Sequence, residues 1–283
     1  MPYANPDSLV STEWLAANLT AADLRLVDAS WHMPGSGRDA RGEYGRCHIP
    51  GAVFFDIDEI ADQASDLPHM LPTAEAFADK VGALGLGDGC RIVVYDSHGL
   101  MSATRVWWTL RVFGHRSVAV LDGGLPKWIA EKRPIDDRPT PPRHLHFTSR
   151  IDHTLVRDMI QLRANLASRH EQVLDARGQG RFHGTEPEPR PGLRSGHIPG
   201  SFNLPFTSML DPATKTLLPA EFLFQGLHAA GVDMNRPVVC TCGSGITAAV
   251  LFFGLHLLGH KDISLYDGSW AEWGRPGDNP VEQ

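Results

Sequence analysis

Residues 237–257, PVVCTCGSGITAAVLFFGLHL, join a short apolar run to a glycine-bearing turn and then to a second, longer apolar run. The first run, at five residues before Cys242, has the length of a buried strand; the second has that of a helix. Residues 91–113, RIVVYDSHGLMSATRVWWTLRVF, have the same plan at an offset of 146, which sets Asp96 opposite Cys242. Working outward, Leu26-Val27-Asp28-Ala29 answers Val173-Leu174-Asp175-Ala176. His48-Ile49-Pro50-Gly51 answers His197-Ile198-Pro199-Gly200, Leu121-Asp122-Gly123 answers Tyr266-Asp267-Gly268, and Trp128 answers Trp273. An ordered series of this kind means that one domain is present twice.

Within each copy, short β-branched runs alternate with segments read as amphipathic helices. That alternation predicts an α/β fold built from βαβ units: two tandem domains, each a mostly parallel sheet flanked by helices. The expected boundaries are 1–133 for the first domain and 150–283 for the second. Residues 134–149, rich in proline and charge, are expected to form an extended, semi-rigid linker.

Composition narrows the function. The chain has 283 residues, 42% hydrophobic and 21% charged, with no apolar run long enough to span a bilayer. Its net charge of −7 is spread in mixed signs, so nucleic acid and membrane surfaces are not expected partners. The first residues lack a secretion or transit signature, and four scattered cysteines do not make a disulfide framework; both point to the cytoplasm. Neither Cys47-His48 nor Cys240-Thr241-Cys242 supplies a zinc set.

Chemistry is therefore sought at Cys242. A cysteine ending a strand is ordinarily a small buried hydrophobe, and Cys240 is read that way. Cys242 differs because Gly243-Ser244-Gly245-Ile246-Thr247 follows it directly before a helix. Two glycines let successive N–H groups turn inward as an anion cradle, and the helix N-terminus adds a favourable field. The thiol is expected to be held largely as thiolate, and a persulfide on it would meet the same donors.

These features, the tandem repeat, the paired His-Ile-Pro-Gly segments and the Cys-Gly-Ser-Gly-Ile-Thr loop, resemble the rhodanese superfamily over nearly the whole chain. Within it, the sulfurtransferases that act on 3-mercaptopyruvate are the better match. The resemblance implies a catalytically inactive first repeat, with Asp96 in the nucleophile position, and a catalytic second repeat that needs no metal or organic cofactor. It implies that Arg181 and Arg190 bind the donor's carboxylate and carbonyl beside Gly243, Gly245, Ile246 and Thr247. It also implies a Ser-His-Asp relay of Ser244, His69 and Asp58. The acceptor would be a thiol, cyanide or thioredoxin. Thiosulfate-preferring relatives carry basic residues after the cysteine, whereas Gly243 and Ser244 are neutral. Thiosulfate sulfurtransfer is the nearest rival reading, and a non-catalytic rhodanese-like module is a second. A dual-specificity phosphatase needs arginine six residues beyond its cysteine, where this chain has Ala248.

Overall fold

The computed structural model describes residues 1–283. The first repeat supplies β1 (Leu9–Val10), β2 (Leu24–Asp28), β3 (Ala52–Phe54), β4 (Arg91–Tyr95) and β5 (Val118–Leu121), in sheet order β1-β5-β4-β2-β3. The second supplies β6 (Val156–Arg157), β7 (Gln172–Asp175), β8 (Phe202–Asn203), β9 (Val238–Thr241) and β10 (Ile263–Tyr266), in the matching order β6-β10-β9-β7-β8. Every strand pair in both sheets is parallel. The central strands β4 and β9 are covered on both faces, which is why they read as continuous apolar runs rather than alternating ones. No helix is long and apolar enough to cross a membrane.

In each sheet the chain reverses its direction of travel between two strands: β2 and β4 in the first, β7 and β9 in the second. A crevice opens at the carboxyl ends of strands at such a point. Asp96 is the residue after β4, and Cys242 the residue after β9. The fold thus delivers each to the mouth of its own crevice.

The amphipathic reading of the two long inner helices does not hold. Ala248–Leu257 is buried except at His256, and Ser102–Val112 is buried except at Arg111. Each lies between its own sheet and the other repeat: Trp107 packs edge-on to Phe253 and Phe252, with centroids 4.8 and 6.1 Å apart. One buried cluster of 46 residues therefore draws on both repeats, and the two sheets share a core.

Nor does the stretch after the first repeat stand free as a linker. Phe147 is buried against Phe77, the Leu145 N–H donates to the Gly82 carbonyl, and the Asp88 N–H donates to that of His146. Gly82 and Gly87 admit this close approach, since a Cβ on either would lie within 2.6 Å of the passing chain. At the other end, Tyr3, Ala4 and Asn5 reach the second repeat: the Tyr3 hydroxyl donates to Leu218 O, the Ala4 N–H to Leu257 O, and the Asn5 amide to His256 O.

Candidate active site

The two nucleophile-position loops share a backbone plan but hold different side chains. In the first repeat Asp96 folds its carboxylate into its own loop. One oxygen accepts the N–H groups of His98 and Gly99 at 2.8 and 2.9 Å, and the other those of Met101 and Ala103 at 2.7 and 2.8 Å. In the second repeat Cys242 has no oxygens to offer. The N–H groups of Gly243, Ser244, Gly245, Ile246 and Thr247 find no acceptor in the chain, although all but Thr247 are buried residues. Buried N–H groups are ordinarily paired. A loop built this way is matched to an anion on the Cys242 sulfur, in the place where the first repeat carries its own carboxylate.

Cys242 is itself buried, and its N–H donates to Ser269 Oγ at 3.3 Å. It lines a cavity of about 270 Å³ with Gly243, Ser244, Ile246, Thr247, Arg181 and Arg190. The first repeat supplies the facing wall, including Trp31, His98 and Met101. Gly245 turns away from the cavity. It has φ +78°, and a Cβ there would lie 2.6 Å from Arg105. Cys240 is fully buried, and burial pushes its thiol well above the ordinary value. A free thiolate there would have no solvation.

Arg181 and Arg190 both reach Gly243. A Cβ on that residue would stand 2.9 Å from Arg181 Nη2 and 3.7 Å from Arg190 Nη1. Arg181 is steadied by Glu188 at 2.6 Å, and Glu188 is paired in turn with the buried Arg177 at 2.7 Å. Arg190 donates to Ser244 Oγ at 3.1 Å. Burial draws its guanidinium below the usual arginine value, and the neighbouring Cys242 charge works the other way.

His69 and Asp58 arrive from the first repeat. His69 is buried, with Nδ1 2.8 Å from Asp58 Oδ1, and Asp58 also accepts from Trp31 Nε1 at 3.0 Å. Burial holds the imidazole below its usual pKa against the pull of Asp58, which favours the neutral ring at neutral pH. Burial also raises Asp58, but His69, Trp31 and Arg190 together outweigh it and hold the carboxyl below its usual value. Arg190 Nη2 lies 3.4 Å from His69 Nε2. A guanidinium can only donate, so Nε2 carries the lone pair and Nδ1 the proton that faces Asp58. The expected serine–histidine contact is therefore not direct: Arg190 stands between Ser244 and His69 and bonds to both.

Reading residue by residue misses Arg105, Asp267, Glu188 and Trp31. Asp267 had one visible signal, its repeat match to Asp122. Arg105 had none, because an arginine in an apolar helix does not show which partner it meets.

The rhodanese-like domain family model matches residues 11–131 and 158–275. The chain is 46% identical to the 3-mercaptopyruvate sulfurtransferase of Homo sapiens, over 96% of this chain and 94% of that protein. It is 43% identical to thiosulfate/3-mercaptopyruvate sulfurtransferase 1, mitochondrial, of Arabidopsis thaliana, over 98% of this chain and 78% of that one. Among solved structures, SseA from Escherichia coli, described as a 3-mercaptopyruvate sulfotransferase of rhodanese fold, superposes with a TM-score of 0.86. The two are 35% identical, and the match covers 94% of this chain and 99% of SseA.

Proposed function

From the premise that the chain belongs to the rhodanese family, as a sulfurtransferase of two tandem rhodanese-like domains, we propose that Cys242 takes sulfur from 3-mercaptopyruvate and passes it to a thiol, cyanide or thioredoxin. The observation that carries this reading is the Cys242 loop: five successive N–H groups without an internal acceptor, flanked by two arginines. Such a loop suits a persulfide anion, and the arginines suit a 2-oxo acid beside it.

The Cys242 thiolate attacks the sulfur of the donor. The S–S bond forms as the C–S bond breaks, and the electron pair of that bond passes into the enolate of pyruvate. Arg181 and Arg190 hold the carboxylate and the oxygen on which enolate charge builds. The donor's thiol proton is taken up at His69 Nε2, with Asp58 orienting the ring, and is returned to the methylene carbon. The products are pyruvate and the Cys242 persulfide, with atoms and charge conserved. An acceptor thiol then attacks the outer sulfur, and Cys242 leaves as thiolate. We place this chemistry in the cytoplasm, a setting that keeps cysteines such as the four free ones here reduced.

The test is to treat purified protein with 3-mercaptopyruvate, assay pyruvate, and weigh the intact chain. Wild type should gain about 32 mass units at Cys242. Pyruvate without the adduct, or robust turnover by Cys242→Ser, would sink the mechanism. The thiosulfate reading is checked in the same assay by the ratio of kcat/KM for the two donors, which should favour 3-mercaptopyruvate.

A further inference from the structure

We propose that Arg105 is a positioning residue, through which the repeat that lacks a nucleophile sets the geometry of the one that has it. The Arg105 side chain is buried, lies over the Trp108 ring at 4.5 Å, and reaches three segments at once. Nη2 donates to the His69 carbonyl and, at 2.7 Å, to Asp267 Oδ1; Nη1 donates to the Gly245 carbonyl at 3.5 Å. The second Asp267 oxygen accepts the Leu71 N–H at 2.8 Å. One buried ion pair thus joins the His69 segment of the first repeat to the nucleophile loop of the second.

Two consequences follow from backbone geometry. A peptide unit is planar and trans, so its C=O and N–H point opposite ways. Holding the Gly245 carbonyl against Arg105 turns the Ile246 N–H to the other side of the loop. His69 has φ +64°, a conformation that a residue with a side chain keeps only when its surroundings fix it. The bond from Arg105 to the His69 carbonyl is one such restraint, and it aims the imidazole at Arg190, which in turn holds Ser244.

The repeat supplies an internal comparison. By its symmetry a second clasp exists, in which Asp122 Oδ1 accepts the Leu217 N–H at 2.8 Å. The position matching Arg105, however, is Leu251. The two halves are therefore tied twice, but the arginine is present only on the side of Cys242. A buried ion pair is weak evidence of net stability. Its one-sided placement points to geometry at the reacting centre.

This inference rests on the sulfur-transfer reading, and the experiment separates the two. Arg105→Gln and Asp122→Asn are compared with wild type for pyruvate release, persulfide formation and melting temperature. Arg105→Gln should lower kcat by about 100-fold, the scale of a 1 Å misplacement, with KM for 3-mercaptopyruvate changed by less than about threefold because Arg181 and Arg190 remain. Asp122→Asn should keep kcat within about twofold whatever its melting temperature. Arg105→Lys, which keeps the charge but not the fork, should fall between wild type and Arg105→Gln, and it carries the same comparison if Arg105→Gln does not fold. An undiminished kcat in a folded Arg105 variant, or an equal loss in Asp122→Asn, would reduce the pair to ordinary assembly. A wild type that forms no persulfide would remove the reaction, and the role of Arg105 with it.

Discussion

The smallest residue in the site is the one with least freedom. Gly243 lies under Arg181, so even a methyl group must displace the guanidinium. Gly243→Ala should therefore raise KM for 3-mercaptopyruvate by roughly 3- to 10-fold, the loss of about one charge-assisted contact, with a smaller effect on kcat. Steady-state kinetics would check this, and an unchanged KM would show that Arg181 is not a carboxylate ligand. The same crowding bears on donor choice. The neutral Gly243-Ser244 pair leaves thiosulfate without a facing charge, and a basic side chain at 243 would in addition have to displace the Arg181 guanidinium. Arg181 and Arg190 entered through the family resemblance, and Cys242 was legible because loop chemistry is local. Arg105 and Glu188 were not, since their meaning lies in partners 162 and 11 residues away.

Among the elements, the loop Asp96–Met101 makes a separate claim. Its carboxylate satisfies four backbone donors, so it is a structural anion fixed to the chain. Asp96→Ala should cost roughly 3–5 kcal/mol, because several buried N–H groups lose their acceptor together. Added sulfate should restore part of the melting temperature in Asp96→Ala beyond its general effect on wild type. If the two respond alike, the loop is no longer an anion cradle once its aspartate is gone. The strands were readable because a parallel, doubly covered strand is a short apolar run wherever it occurs. The inner helices were misread as amphipathic because local pattern cannot reveal that a second repeat covers the outer face.

On the scale of the whole molecule, pH acts through carboxyls that the shared fold encloses. Burial raises Asp28 to about 6, with Ser30 and Tyr95 opposing it by hydrogen bonds. A carboxyl raised in the folded state stabilises fully below its unfolded pKa, near 4, and that contribution is lost as pH climbs through about 6. Asp28→Asn should flatten the stability profile between pH 4 and 6 and, at pH 8, be more stable than wild type by at most about 3 kcal/mol. Denaturant melts across that range measure it; a wild-type profile unchanged by the substitution would show that Asp28 is ionised without cost. Doubling was the most legible feature of all, because repetition is visible without any structure. The common core was not, and it bears on dissection: residues 144–283 alone would expose the face that Phe252 and Phe253 offer to Trp107. The strap at residues 3–5 sets a timetable as well. Tyr3, Ala4 and Asn5 are made more than 200 residues before Leu218, His256 and Leu257, which anchor the strap. At 5–20 residues per second the strap waits roughly 10–50 s for its partners. A chain that stalls before residue 256 thus leaves Ala4 and Asn5 without their partners and within reach of proteases.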